Sequence, residues 1–394
     1  MREQENAAVA ASVSATPDAS EIARQIAGGT LETQEMILNV GPQHPATHGV
    51  FRLLATIDGE RIVDAEPIIG YMHRGYEKLV EARDYRQITN LISRMDWLSG
   101  INNELPLALA LETLMEIEVP PRAQWLRVIL CEMNRILNHL MFFASFGSEL
   151  GAITPTFYAF REREDIQYQM ESVTGGRMHF GFFRPGGLKE DVPRGFYAGS
   201  LAAVRQVIKR LPDYEDLLIG NEIFKQRTIG VGVLEKEVAY NFGVSGPIAR
   251  GSDIDFDVRK DEPYLVYDQF DFDVHSAPHG DCFDRFWVLV HEVVESARIV
   301  EQAIESIPTG PVMGKVPRVV QAPQGEVYVR CENPLGELGM YLVSDGNRQP
   351  YRLKIRTPSY SNVSALSYVL KNTLVADMIA ILGSFFFVLG DIDR

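Results

Sequence analysis

The chain has 394 residues, of which 46% are hydrophobic and 23% are charged, as in ordinary globular proteins. Its 53 acidic residues outnumber its 38 basic ones, and the resulting net charge of −15 disfavours binding to the phosphate backbone of nucleic acids. Three widely spaced cysteines, Cys131, Cys282 and Cys331, cannot form the disulfide framework of a small secreted protein, so they favour a reducing, cytoplasmic setting.

Residues 1–34 are rich in alanine, serine and glutamate and lack the apolar core of a secretory signal. We predict a flexible tail there, with a short helix near Ser20–Ala27. No stretch reaches the roughly 18 apolar residues that are needed to span a bilayer. The nearest apolar run, Met378–Leu389, is only 12 residues long, so membrane contact is expected to be made through partner proteins.

The first folded region, residues 35–70, is predicted to be rich in β-strands, because apolar residues alternate with polar ones as in half-buried strands. The turn-forming pair Asp58-Gly59 divides the pattern and predicts a β-hairpin. The predicted strands are Ile37–Val40, Phe51–Ile57 and Arg61–Ile69.

Residues 71–310 are predicted to form a helical core, because apolar residues recur there near helical spacing. Pro120-Pro121 opens the longest helix at a position where proline is tolerated, and Pro308 ends the last one. The predicted helices are Arg74–Arg83, Gln87–Trp97, Asn102–Ile117, Pro121–Phe146, Arg161–Val173, Pro193–Leu211 and Asp284–Ile307.

The last region, residues 325–394, is predicted to be mixed, with three strands followed by two short helices. No composition shift marks a linker, so residues 35–394 are expected to form one α+β domain. Its parts would be an N-terminal β-hairpin region, a central helical bundle and a small C-terminal mixed region. The predicted C-terminal strands are Glu326–Arg330, Gly339–Val343 and Tyr351–Arg356.

Common cofactor and catalytic motifs are missing from the sequence. It contains no glycine-rich dinucleotide fingerprint, no Walker loop, no GxSxG and no HExxH. The run Asp253–Asp257 resembles the start of a calcium loop, but Val258 stands where such a loop needs glycine. Its alternation of aspartate with isoleucine and phenylalanine predicts a strand with a solvated acidic face instead.

Two histidines lie in residues 41–49, where prolines and glycines exclude regular structure and predict a loop. The four-residue spacing of His44 and His48 would suit zinc on a helix, but it means little in a loop. The histidines either hydrogen-bond to the loop backbone or present a proton donor, because histidine titrates near neutral pH.

Arg94 and His179 also leave two interpretations open. Arg94, in the run Ser93–Trp97, is either paired with Asp96 or is a charge held beside an electron carrier. His179 follows a Gly-Gly break and is either a hydrogen-bonded interface residue or a redox-coupled histidine beside a metal centre.

Several ordered blocks of the sequence resemble one family, the D-type subunit of bacterial NADH–quinone oxidoreductase, also called the 49 kDa subunit of respiratory complex I. The similarity extends from about Glu35 to Arg394. The matching blocks are Gly41–Gly49, Ile69–Gly75 with Glu77-Lys78, Leu150–Pro155, Phe157–Glu164, Gly336–Gly339, Val343–Gly346 and Gly390–Arg394.

The resemblance implies a fold like the large subunit of nickel–iron hydrogenases. Those proteins hold their metal with two CxxC motifs, which this chain lacks, and three separate cysteines are too few for an iron–sulfur cluster. We therefore predict no metal ligands in this chain. The resemblance implies a quinone site in place of the metal centre, at the interface with the B-type subunit, which carries the terminal 4Fe–4S cluster.

The resemblance also implies roles for individual residues. His48 corresponds to the histidine that hydrogen-bonds the quinone headgroup, and His44 shapes the same loop. Glu149 stands where the family usually has the aspartate that supports this histidine. Arg94 and His179 correspond to residues beside the partner's cluster, where a cation favours the reduced form and a titrating histidine couples the potential to protons.

Trp97 stands where the family usually has a tyrosine as the second headgroup ligand. Its indole can donate a hydrogen bond or stack on the quinone ring, but it has no acidic hydroxyl and cannot supply a proton. A helical segment present in most relatives is also missing between Pro308 and Gln324.

The function implied by the resemblance is that of a peripheral-arm subunit of a proton-pumping NADH:quinone oxidoreductase. The implied partners are the iron–sulfur B-type and the C-type subunits of the peripheral arm and the H-type subunit of the membrane. NAD would bind elsewhere in the complex, with this chain on the cytoplasmic side of the cell membrane. Because Trp97 departs from the family, a non-catalytic scaffold in a hydrogenase-like or alternative-donor membrane complex stays open as the alternative.

Overall fold

The computed structural model describes residues 34–44 and 47–394. The tail helix predicted near Ser20–Ala27 lies outside the described residues. Helices and strands both occur in the described chain, with strands mainly towards its two ends and helices between them. This arrangement confirms the predicted α+β class.

The N-terminal strands form one antiparallel sheet in the order β1-β2-β3. Alternate residues of the central strand, from Leu53 to Ile57, are buried, so the apolar face of the sheet lies against the core. The predicted hairpin is confirmed. The strands are β1 (Glu35–Val40), β2 (Arg52–Asp58) and β3 (Arg61–Ile68).

The helices of the middle region pack around one long central helix, which is buried along most of its length. A two-strand hairpin, β4 (Phe183–Arg184) and β5 (Gly187–Leu188), interrupts them. The helices are α1 (Tyr76–Val80), α2 (Tyr85–Ile92), α3 (Gly100–Met115), the central α4 (Pro121–Glu149), α5 (Thr154–Thr174), α6 (Phe196–Tyr214), α7 (Glu222–Thr228), α8 (Lys236–Phe242), α9 (Pro247–Arg250), α10 (Val258–Asp261) and α11 (Cys282–Ser306).

The helix predicted over Gln87–Trp97 is wrong in its second half. The chain leaves α2 at Ile92, and residues 93–99 form turns that lead into α3. The carboxylate of Asp96 accepts a hydrogen bond from the backbone N–H of Leu98 at 2.9 Å, a local contact that competes with helical hydrogen bonding. Arg94 and Trp97 therefore lie in a loop segment.

The strand predicted over Asp253–Asp257 is also wrong. These residues have no regular structure, and Asp257 caps α10 by accepting a hydrogen bond from the N–H of Arg259 at 2.9 Å. Asp257 is buried and pairs with the guanidinium of Arg259 at 2.7 Å. This aspartate therefore faces the core, while Asp253 and Asp255 are exposed.

The C-terminal region contains a second three-stranded antiparallel sheet and four short helices, where two helices had been predicted. The sheet order is β6-β7-β8. Among the described helices, none combines the length and the apolar character that crossing a bilayer requires. The elements are β6 (Gly325–Asn333), β7 (Gly336–Ser344), β8 (Arg352–Arg356), α12 (Pro358–Ser364), α13 (Leu366–Val369), α14 (Met378–Ser384) and α15 (Leu389–Asp393).

Candidate functional site

His48 lies in the connection between β1 and β2, with its backbone in the left-handed region at a φ of 46°. Its Nε2 is 2.7 Å from Oε1 of Glu149, at the end of α4, and its Nδ1 is 3.3 Å from the carbonyl oxygen of Phe387. Both partners accept hydrogen bonds, whereas a neutral imidazole has only one N–H to donate. The geometry therefore favours the imidazolium form, in which both nitrogens donate.

The pKa of His48 is set by opposing effects. Burial lowers it, but the hydrogen bond to Glu149, the negative charge of that residue and the carbonyl of Phe387 together raise it above its usual value of 6.5. Because the pKa of His48 is raised, its imidazolium persists to higher pH than that of an ordinary histidine and can donate a proton to a bound acceptor.

Glu149 is held in place by close packing between α4 and α14. Its Oε2 is buried and accepts no hydrogen bond from the part of the chain that the structure describes. Gly383 of α14 lies against it, and a Cβ at this glycine would overlap Oε2 and approach the ring of Phe146 to 2.9 Å. A residue without a side chain at position 383 thus leaves room for the glutamate.

Two cavities meet at His48, Trp97 and Val388. The smaller, of about 150 Å³, is mainly apolar, and its further lining includes Leu98, Met141, Phe142 and Phe387. The larger, of about 420 Å³, is also lined by Met72, Arg74, Arg94, Met95, His179 and Leu389. The structure therefore brings four residues with predicted roles together around one cavity: His48, Arg94, Trp97 and His179.

Arg94 and His179 lie at the part of the larger cavity formed by the turn after α2. The guanidinium of Arg94 donates to the carbonyl oxygen of Asn90 at 2.6 Å, and among the described residues it forms no ion pair with Asp96. Nδ1 of His179 is 3.3 Å from the carbonyl oxygen of Ser93. Burial lowers the pKa of His179, and the charge of Arg94 lowers it further, against the opposite effect of the Ser93 carbonyl.

Comparison with known proteins gives one consistent result. The family described as the respiratory-chain NADH dehydrogenase 49 kDa subunit matches residues 149–321 and 315–394. The second D-type subunit of NADH-quinone oxidoreductase from Salinispora arenicola is 55% identical over 93% of this chain and 96% of its own length. The first D-type subunit of Streptomyces coelicolor is 54% identical over 93% and 97%, and the D-type subunit of Geobacillus thermodenitrificans is 49% identical over 92% and 100%.

The chain belongs to this 49 kDa subunit family. The resemblance found in the sequence is thereby confirmed, and the chain is a subunit of an oxidoreductase complex, as its relatives are. The family assignment does not itself assign roles to single residues, which rest on the geometry around the two cavities.

The C-terminal segment contributes cavity walls to which the sequence had assigned no role. The carboxylate of Asp393 accepts hydrogen bonds from the N–H groups of Gly70 at 2.8 Å and Met72 at 2.7 Å. These bonds tie the loop after β3 to α15. The two segments fall in the blocks Ile69–Gly75 and Gly390–Arg394 that carried the family resemblance, but these blocks contain no catalytic motif and indicated no position at a cavity.

His44 is separate from the cavities in this member of the family. Its side chain is exposed, and its backbone carbonyl accepts hydrogen bonds from N and Oγ1 of Thr47 at 3.1 and 2.6 Å. The described walls of both cavities are formed without it.

Metal-binding side chains are not clustered in the described chain. Within residues 34–44 and 47–394, no group of three or more histidine, cysteine, aspartate or glutamate side chains is placed to hold an ion. Cys131, Cys282 and Cys331 are buried and not disulfide-bonded. The predicted site is thus built from hydrogen-bonding and apolar groups.

A larger cavity, of about 690 Å³, lies elsewhere on the molecule. Its lining includes the cations Arg86, Arg184, Lys189 and Arg318, and its one lining carboxylate, Asp84, caps α2. The predicted site residues do not line it, and it lacks a buried proton donor such as His48. Size alone therefore does not identify the reaction site in this family member.

Proposed function

We propose that this chain forms the quinone-reduction site of an NADH:quinone oxidoreductase together with an iron–sulfur partner subunit. The observation that carries the proposal is the convergence of the His48–Glu149 pair, Trp97, Arg94 and His179 on one cavity with an apolar extension. Quinone reduction consumes two electrons and two protons, so the site needs a proton donor and a route for electrons.

His48 is the proposed proton donor. Its imidazolium would donate a hydrogen bond, and then a proton, to one headgroup oxygen, while Glu149 keeps the ring oriented and compensates its charge. Trp97 is 37% exposed at the boundary of the two cavities, so its indole is placed to donate a hydrogen bond or to stack on the ring. The apolar lining of the smaller cavity would exclude water from the headgroup.

Arg94 and His179 are proposed to lie towards the electron donor, a 4Fe–4S cluster in the B-type subunit. A cation beside such a cluster stabilises its reduced form, and Arg94 is an exposed cation at the cavity edge. The proposed assembly also includes the C-type subunit and the H-type membrane subunit, with NAD bound elsewhere in the complex. The chain would then have the hydrogenase large-subunit-like fold and lie peripherally on the cytoplasmic side of the cell membrane.

The test is a His48→Ala variant in the intact, membrane-derived complex. Loss of a positioned general acid typically lowers a rate by about 10²–10⁴-fold, so inhibitor-sensitive NADH-driven quinone reduction should fall by at least about 100-fold. NADH oxidation by an artificial acceptor that takes electrons before the quinone site should be unchanged. That second assay shows that the electron supply upstream of the quinone site is intact, and the subunit composition of the purified complex shows that it is assembled.

His275→Ala is the matched control, because His275 also pairs with a glutamate, Glu295 at 3.2 Å, but far along the chain from the cavities. It should leave quinone reduction unchanged. Equal quinone reduction by His48→Ala and the wild type would remove the role assigned to His48. A wild-type complex that assembles with its partners but reduces no quinone would favour the scaffold alternative.

A further inference from the structure

Two buried carboxyl groups from distant parts of the chain lie near enough for the charge of one to act on the other. Asp96 lies in the turns between α2 and α3, and Asp391 lies in α15; each is only 1% exposed. The two segments pack backbone against backbone, since a Cβ at Gly390 would overlap the carbonyl oxygen of Met95. Each carboxyl group therefore belongs to a segment that also forms a cavity wall.

Each of these carboxyl groups has one oxygen with a hydrogen-bond donor and one without. Oδ1 of Asp96 accepts from the N–H of Leu98 at 2.9 Å, and Oδ2 of Asp391 accepts from the N–H of Ser359 at 3.0 Å. Oδ2 of Asp96 and Oδ1 of Asp391 are buried, and the described residues supply neither with a donor. A buried acceptor without a donor is costly.

One proton would satisfy both oxygens at once. A protonated carboxyl group has an O–H to donate, and a neighbouring carboxylate can accept it. The surrounding charges act in the same direction, because burial raises the pKa of Asp96 and the negative charge of Asp391 raises it further, against hydrogen bonds from Ser99 and a backbone N–H. Two nearby carboxylates resist ionising together.

The groups around Asp391 complete the charge balance of the pair. Burial raises the pKa of Asp391, while hydrogen bonds from Ser359 and the charge of Arg394 lower it. Arg394 is thus a cation that acts on Asp391. The positive charge of Arg394 stabilises one negative charge on the pair. Two carboxyl groups that hold a single proton between them carry one negative charge.

We propose that Asp96 and Asp391 share one proton and serve as positioning residues that hold two walls of the larger cavity together. Loss of the proton would leave two adjacent negative charges, whose repulsion separates the segment carrying Trp97 from the segment carrying Leu389. Quinone turnover then declines as pH rises, independently of His48. The effect on turnover rests on the proposed quinone site, whereas the shared proton itself does not.

The test compares Asp96→Asn, Asp391→Asn and the double variant in the assembled complex. An asparagine amide can donate the missing hydrogen bond and cannot lose a proton at these pH values. We expect the logarithm of kcat/KM for quinone to fall with a limiting slope of about −2 per pH unit in the wild type, where His48 and the pair each lose a proton. Each variant should show a slope of about −1.

An infrared measurement tests the shared proton without using turnover. A protonated carboxyl group has a C=O stretching band separate from the carboxylate bands, so the wild-type minus Asp96→Asn spectrum at neutral pH should contain one such band. Asp165→Asn, which changes an exposed carboxylate on α5, is the matched control. It should leave both the infrared band and the pH slope as in the wild type.

Three results would overturn the proposal: absence of the band, an unchanged slope in the single variants, or a loss of activity that is equal at every pH. The last result would show a purely structural role for the two aspartates. If the wild-type complex reduced no quinone at all, the proposed function would fail, and the infrared band alone would decide whether the proton is shared.

Discussion

His48 and Glu149 form the contact on which the chemistry of the site depends most directly. Their side chains are 12% and 9% exposed, so solvent screens their interaction only weakly. Because the pKa of His48 is raised in the folded protein, the stabilisation from its protonated form is complete below about pH 6.5 and is lost as pH rises through the raised value. His48 can donate a proton only at pH values where its imidazolium is populated, so the raised pKa also sets the upper pH limit for proton donation.

We expect Glu149→Gln to move the upper pH limit of quinone reduction to lower pH. The glutamine amide carries no negative charge to raise the pKa of His48. Burial, which is the largest effect on this pKa and lowers it, remains. An opposite charge at this distance shifts a pKa by about 1–3 units, so the descending limb of kcat/KM should move down by at least about one pH unit. The measurement is the pH profile of quinone reduction in the assembled complex.

Glu295→Gln provides the control for that measurement, because it removes the partner of His275 at the distant histidine–glutamate pair. Its profile should coincide with that of the wild type. If Glu149→Gln lowered the rate by the same factor at all pH values, Glu149 would position His48 without setting its charge state.

At the scale of elements, the site depends on how closely α14 approaches the end of α4. Glu149 is the last residue of α4, and Gly383 is the position in α14 that faces its carboxylate. Packing in protein interiors leaves little free volume, so even one added methyl group forces neighbouring groups to shift. The glutamate reaches His48 only because α14 has no side chain at this point.

Gly383→Ala should therefore impair quinone reduction although alanine favours a helix over glycine. The new methyl group would displace the Glu149 carboxylate, and a shift of about 1 Å at a catalytic group can cost about 100-fold in rate. We expect kcat/KM for quinone, measured in the assembled complex, to fall by about this factor. The upper pH limit of activity should also move to lower pH, as it should in Glu149→Gln.

Gly199→Ala in α6 is the matched control. Its methyl group would meet the end of the Gln169 side chain, which can turn away. This variant should keep wild-type activity. Equal activity of the two alanine variants would show that Glu149 has room to move without losing His48.

Sequence patterns predicted the long helices well because their apolar residues repeat within a few positions. The central helix was predicted over Pro121–Phe146 and is found over Pro121–Glu149. The end of α2 was missed because residues 93–99 form turns, within which Asp96 accepts a local hydrogen bond from the N–H of Leu98. Spacing of apolar residues contains no information about such a capping contact.

The site itself could not be derived from spacing. His48 and Glu149 are 101 residues apart in the chain, and Asp96 and Asp391 come from still more distant segments. Only the family resemblance placed His48, Glu149, Trp97, Arg94 and His179 in one site. It gave no indication that the C-terminal segment forms the opposite wall.

At the scale of the whole molecule, a buried network of ion pairs joins several elements. Arg250 of α9 contacts Glu292 of α11 at 2.5 Å and Glu332 of β6 at 2.9 Å. Arg259 contacts Glu132 of α4 at 3.0 Å. All of these side chains are at most 5% exposed, so the middle helices and the second sheet are linked by charges that water does not screen.

The network also predicts how stability responds to acid. Burial opposes ionisation of Glu292, but the charge of Arg250 and the hydrogen bond from His139 lower its pKa to about 2. A carboxylate whose pKa is lowered on folding stabilises the fold above its unfolded value, near 4.5, and this stabilisation is lost as pH falls towards the folded value. Glu292 therefore contributes stability at neutral pH that is lost below about pH 4.5.

We expect Arg250→Met to destabilise the protein severely at neutral pH, because it leaves Glu292 and Glu332 buried beside each other without their cation. Breaking a buried pair in this way costs about 3–5 kcal/mol. Arg205→Met is the control, since it removes an exposed pair with Glu301 and should cost less than about 1 kcal/mol. The measurements are the thermal unfolding midpoint and the yield of assembled complex. Similar midpoints for the two variants would mean that the buried network relaxes without Arg250 and does not hold α9, α11 and β6 together.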